Sequence, residues 1–234
     1  MAASAPKRAE ELARELEAVV MEHGWVQGEF LGSESDLIAR YQVSRAVFRE
    51  AVRIVEHHGA AEMRRGPKGG LVVSSPDLRS VQRPTRLWLD YANVTTSDLN
   101  TVRSTLELTC VRIVARDVTE QNVVLLRDLL ATERAAGLHG VREGRSHKLH
   151  ILIARLSKNP ALLLFVETMA NLAYERAQHL SYRTEQAEAV FQAHERIVEA
   201  IINRDPALAQ HRMRKHLSAV TRYDRDRETV PGLE

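Results

Sequence analysis

Apolar positions along the chain mark out two stretches of different character. Leu12, Leu16, Val19 and Val20 recur at helical spacing and predict a first amphipathic helix ending near His23 and Gly24. Val47, Phe48, Ala51, Val52 and Val55 repeat that pattern, with Ser44 ahead of them as an N-cap and Gly59 as a C-terminal stop. Between the two, Ser33 is placed to cap a short helix that closes at a tight turn around Tyr41, Gln42 and Val43. After Gly59, residues 61–65 and 71–74 flank Gly66-Pro67-Lys68-Gly69-Gly70, which predicts a two-stranded ribbon with a basic, glycine-rich tip. Three helices and a β-ribbon make a winged helix-turn-helix over residues 1–75.

A polar stretch from Ser74-Ser75-Pro76-Asp77 to Pro84-Thr85 predicts a linker, followed by a short helix around Leu87-Trp88-Leu89, so that residues 76–96 join two domains. Helical periodicity then runs through segments near 97–117, 119–136, 143–157, 160–183, 186–203 and 206–226. Thr119 is a plausible N-cap, and Asp205-Pro206 is a cap with proline at the first helical position. Residues 97–234 therefore predict an all-α antiparallel helical bundle, and the whole chain is mainly α.

Composition narrows the class. No apolar run approaches the roughly 18–20 residues needed to span a bilayer, and the N-terminal residues lack the apolar core of a signal peptide. Cys110 is the only cysteine, which suits a reducing, cytoplasmic setting and excludes an intrachain disulfide. It falls in an apolar helical run and is expected to pack as a small hydrophobe. The net charge of +2 matters less than its distribution. Residues 10–36 hold eight acids against Arg14 alone, a balance of −7, whereas residues 40–68 hold seven bases against three acids, a balance of +4. Such separation points to a face built for a polyanion. Ser44 starts a helix with Arg45 and Arg49 one turn apart, the geometry of a recognition helix for the major groove of double-stranded DNA.

These residues carry a resemblance. Leu31-Gly32-Ser33-Glu34, Val43-Ser44-Arg45 and Arg49-Glu50-Ala51, followed by Arg65-Gly66 and Gly69-Gly70, resemble the DNA-binding domain of GntR-family bacterial transcriptional regulators. The helical remainder is similar to the FCD effector domain of the FadR-like subfamily, through Arg103 with Leu106-Glu107, His150 with Asn159-Pro160, His194 with Ile197 and Ala200-Ile201, and Arg212 with His216. The resemblance implies DNA contacts by Ser33, Ser44, Arg45, Arg49, Arg65 and Gly66. Two positions depart from the family pattern: Gly32 replaces the usual proline, and Ser35 stands where many relatives carry a DNA-touching arginine. The resemblance also implies a homodimer on a palindromic operator, controlled by a small effector. The sequence leaves open whether it is a repressor or an activator.

Three histidines lie on apolar stripes of the second domain. His194 neighbours Ile197, Val198 and Ile201; His216 shares its face with Met213, Leu217 and Val220; His150 borders Leu149, Leu152, Ile153 and Leu156. Either they are hydrogen-bonded core residues, or they converge on a divalent transition metal such as Zn²⁺ or Ni²⁺, which neutral imidazole suits. The resemblance favours the metal. It also implies an aspartate four residues before His150, where this chain has Ser146; His147 is a possible substitute, turned about 60° away on the helix. The ion would then be held by three histidines plus water or an effector carboxylate. Arg103 is placed either to bind that carboxylate or to pair with Glu107 one turn along. Some members of the resembling family instead bind acyl-CoA without a metal, so a metal-independent acyl-CoA-type regulator is the alternative reading of this chain. A metal-dependent hydrolase is the opposing class, but no His-Glu-x-x-His segment supplies a general base here.

Overall fold

Leu12, Leu16 and Val20 are fully buried on one face of the first helix, α1 (Ala5–Glu22), which explains the spacing that predicted it. The computed structural model describes residues 5–66, 69–142, 147–177 and 184–228. The chain divides into two compact units, one ending at Pro84 and the other starting at Thr85.

In the first unit, α1 packs against α3 (Arg45–His58), with α2 (Glu34–Tyr41) completing the helical layer. Their shared core contains Leu12, Leu16, Leu37, Phe48, Val55 and Leu71. Burial of each such side chain contributes about 1.5–3 kcal/mol. Both predicted serine caps form. Ser33 Oγ accepts from the Asp36 N–H at 3.2 Å, and Ser44 Oγ from the Val47 N–H at 3.3 Å. Between the helices Gln42 adopts the left-handed conformation (φ 51°), which turns the chain sharply enough to start α3.

The β-structure is larger than the ribbon expected from sequence. β2 (Ala61–Arg64) and β3 (Gly70–Val73) pair antiparallel as predicted, and β1 (Phe30–Gly32) joins β3 on its other edge, giving the order β1-β3-β2. Gly70 makes this approach possible: a Cβ there would lie 2.4 Å from the Gly32 carbonyl oxygen and 2.5 Å from the Phe30 ring.

The stretch read as linker plus short helix contains one 14-residue helix, α4 (Leu78–Tyr91), with Pro84 inside it. Proline removes a single helical hydrogen bond, and on a mostly exposed helix water can satisfy the freed carbonyl.

The second unit is helical throughout its described residues. It comprises α5 (Thr96–Arg116), α6 (Glu120–Arg142, broken at Gly137), α7 (His147–Leu156), α8 (Pro160–Ala177), α9 (Thr184–Ile202) and α10 (Pro206–Glu228). A capping box between Thr95 and Asp98 starts α5, while Thr119 caps α6 and Asp205 caps α10. Helix α5 packs against α7, α8, α9 and α10, so side chains on its several faces look into the bundle. Cys110 is buried there among Val111, Val114, Ile153 and Ile197, and burial pushes its thiol up to about 11. It is a packing residue. No helix among the described residues is long and apolar enough to cross a membrane.

Candidate functional site

Two assemblies of polar residues stand out, one exposed and one buried. The exposed one is the basic face of α3. Arg45 and Arg49 lie one turn apart with most of their side chains in solvent. Both point toward one acceptor: Glu34 Oε1 is 3.3 Å from Arg49 Nε and 3.7 Å from Arg45 Nε. Glu34 thus keeps the two guanidinium groups adjacent, and exposed pairs of this kind contribute only about 0–1 kcal/mol. A phosphate or a base edge can displace that carboxylate at small expense. The motif around Glu34 gives no sign of this contact, which joins residues 15 positions apart.

The wing is also where the sequence put it. Arg65 is exposed, and Gly66 has φ 113° with its carbonyl accepting the Gly69 N–H at 2.8 Å. Glycine is favoured at that φ, which makes the tip tight. Pro67 and Lys68 lie outside the described residues. Ser33 and Ser44 spend their hydroxyls on the two helix starts, so any contact they make with DNA is shared with capping.

The buried assembly is centred on α7, α9 and α10. His150, His194 and His216 are 2%, 0% and 4% exposed, and each offers a nitrogen within 4.8 Å of the others. His216 Nε2 lies 3.2 Å from His150 Nε2. Two nitrogens of a tetrahedral Zn²⁺ site, each about 2.0–2.1 Å from the ion, are separated by a similar distance of about 3.3 Å. His194 Nε2 is buried with no hydrogen-bond partner, an arrangement that calls for a ligand or ion. Burial lowers the pKa of both His150 and His216, in the latter case well below the ordinary 6.5, which favours the neutral ring that a metal ligand must be. The donor set therefore fits a borderline transition metal.

The other predicted residues divide. Arg103 is buried, and its Nε donates to Glu107 Oε1 at 2.5 Å, so the ion pair weighed from sequence does form. Glu107 Oε2 in turn accepts from His150 Nδ1. Burial alone would raise Glu107, yet Arg103 and His150 outweigh it and hold the carboxyl down at about 2. His147 is not one of the three converging residues; its ring lies 6.5 Å from that of His150 and 5.4 Å from Tyr174. Ser146 lies outside the described residues. Sequence reasoning missed Glu133, whose Oε2 accepts from His194 Nδ1 at 2.8 Å. Nothing in the chain pattern links positions 133 and 194.

Beside the histidines a cavity of about 150 Å³ opens between α9 and α10. His216 lines it together with Ala193, Val220, Arg196, Lys215 and Arg212, the last paired with Glu199 at 2.8 Å.

Comparison with known proteins places this architecture. The FCD domain family matches residues 98–219, just over half of the chain. The chain is 27% identical to the Exu regulon transcriptional regulator of Escherichia coli (strain K12), over 89% of its own length and 81% of that protein's. It is 25% identical to the HTH-type transcriptional regulator LutR of Bacillus subtilis (strain 168), over 82% of its length and 90% of LutR's. Its fold is similar to that of Streptococcus agalactiae GntR, with a TM-score of 0.70, 24% identity, and coverage of 92% of this chain and 99% of that one.

The family that matches and the curated relatives are transcriptional regulators, so the class of this chain is a transcriptional regulator, not an enzyme. The chain belongs to the GntR family, in the branch that carries an FCD domain, as its FadR-like residues implied.

Proposed function

We propose that this regulator binds a palindromic operator as a homodimer through α3 and the wing, under control of a small carboxylate effector received at a metal-loaded histidine centre. The observation that carries the reading is the convergence of His150, His194 and His216, buried and within 4.8 Å of one another. These three would hold a Zn²⁺ or Ni²⁺ ion. Bound there, the ion supplies a Lewis-acidic position to which an effector oxygen can attach. Arg196 and Lys215, which line the cavity with His216, draw an anion toward that centre. Arg103, paired with Glu107 at 2.5 Å, balances that carboxylate beside the centre. On the DNA side, Arg45 and Arg49 leave Glu34 for operator bases or phosphates, since arginine suits bidentate recognition of guanine.

Regulation follows from linkage. DNA-competent and DNA-incompetent arrangements with different effector affinities make effector and operator weaken each other reciprocally. Elemental analysis of unchelated protein beside a His194→Ala/His216→Ala variant tests the centre. About one equivalent of transition metal, lost in the variant, is the expected result; metal-free protein that takes up neither Zn²⁺ nor Ni²⁺ would refute it. Effector affinity that is identical for free and operator-bound protein would remove the proposed control.

A further inference from the structure

We propose that Glu107 and Glu133, from helices that carry none of the three histidines, are the orienting carboxylates of the centre: they fix His150 and His194 with Nδ1 protonated and Nε2 turned to the metal. The inference rests on the metal reading given above.

The geometry starts from what an ionised carboxylate can do. It only accepts hydrogen bonds, so an imidazole nitrogen facing one must carry the proton. His150 Nδ1 faces Glu107 Oε2, and His194 Nδ1 faces Glu133 Oε2 at 2.8 Å. A neutral ring with its proton on Nδ1 has its lone pair on Nε2. In His150 that nitrogen lies 3.2 Å from His216 Nε2, and in His194 it is the buried nitrogen without a partner. Two carboxylates on α5 and α6 thus aim rings on α7 and α9 at one point. Among the described residues His216 has no carboxylate partner, which makes it the unassisted member of the three.

The same residues answer for the charge that a serine at position 146 does not bring. No described carboxylate joins the three nitrogens within 4.8 Å, so the negative charge of the centre sits one bond network further out. Glu107 and Glu133 are nearly inaccessible, with side chains 2% and 7% exposed. With a divalent ion, two carboxylates and the Arg103 guanidinium, three neutral imidazoles leave one net positive charge. An anion is therefore preferred over water at the remaining position, which deepens the assignment of a carboxylate effector. Carboxylate partners of this kind fix ring orientation and tautomer, and losing one costs about 10–100-fold in metal affinity.

The test measures Zn²⁺ affinity by chelator competition in full-length wild type, Glu107→Gln, Glu133→Gln and His194→Ala. Glutamine keeps shape and one acceptor oxygen but removes the charge. Each glutamine variant is expected to retain one equivalent of Zn²⁺ at saturation, bound about 10–100-fold more weakly. Long-range ¹⁵N–¹H spectra of metal-free wild type should show His150 and His194 protonated at Nδ1, and the ring facing each glutamine should lose that bias. Affinities within twofold of wild type, or Nε2-protonated rings in wild type, overturn the assignment. Glu107→Gln also leaves Arg103 without its charge partner and can fail to fold. Glu133→Gln then decides, because His194 is its contact in the structure. Wild type that binds no Zn²⁺, or binding unchanged by His194→Ala, overturns the metal reading itself and the carboxylate roles with it.

Discussion

The two units of this chain put their working residues in opposite places. In the winged helix the core is apolar, built from Leu12, Leu16, Phe48 and Leu71, and the arginines proposed to face DNA, Arg45 and Arg49, stand in solvent. In the helical bundle Arg103, Glu107, His150, His194 and His216 lie inside, each under 5% exposed. The difference separates stability from function in the first unit and fuses them in the second. A surface arginine can change with little effect on folding. A buried charge or imidazole cannot, because its partners lose compensation in a medium that will not solvate them.

The largest effect expected from this contrast is at Arg103. Arg103→Met removes one partner of a buried ion pair and should destabilise the second unit by about 3–5 kcal/mol, read as a fall in the denaturation midpoint. A loss below about 1 kcal/mol would place Arg103 on the surface side of the comparison.

His147, His150 and His216 titrate below 6.5 when folded and near 6.5 when unfolded. Below that pH the unfolded chain binds protons that the folded chain refuses, so stability falls as pH drops, by about 1.4 kcal/mol per pH unit for each group involved. Glu107, held at about 2 against 4.5 unfolded, adds a further loss between those values. Denaturation of the metal-free protein from pH 7.5 to 5 should follow this slope, and saturating Zn²⁺ should raise stability by about 2.7 kcal/mol at a hundredfold excess over its Kd. A flat profile would mean that the rings are not buried in the neutral form.

On the exposed side, Arg45→Ala and Arg49→Ala should each weaken operator binding by about 1–3 kcal/mol where the arginine reads a base and alter stability by less than about 0.5 kcal/mol. Binding to labelled operator and thermal unfolding, measured on the same samples, check both halves. Unchanged DNA affinity in both variants would remove the recognition role of α3. The smallest effect is at the cap: Ser44→Ala should lower stability by about 1 kcal/mol, and any loss of DNA affinity beyond that at Ser44→Gly would expose a direct contact of the hydroxyl.

Legibility followed the range of the interactions. The caps at Ser33 and Ser44, the turn at Gln42 and the stop at Gly59 rest on contacts within four residues, and each was readable from its neighbours. The third strand was not, because Phe30–Gly32 is too short for a pattern and pairs with residues about 40 positions away. Of helix α4 only the part around Leu87-Trp88-Leu89 was expected, because Pro84 reads locally as a breaker and hid the turns before it. The histidines were legible as polar residues on apolar stripes, and the FCD resemblance grouped them.

From the sequence alone came the helical periodicity, the winged helix-turn-helix, the basic start of α3 and the three histidines. These follow from side-chain order and local hydrogen bonding, which the chain carries within a few residues. Tertiary structure alone decided that Glu34 holds Arg45 and Arg49 together, that Glu107 joins Arg103 to His150, and that Glu133 faces His194 across 61 positions. Packing sets such partnerships: burial removes water from each polar atom and leaves it only the neighbours that the fold brings near.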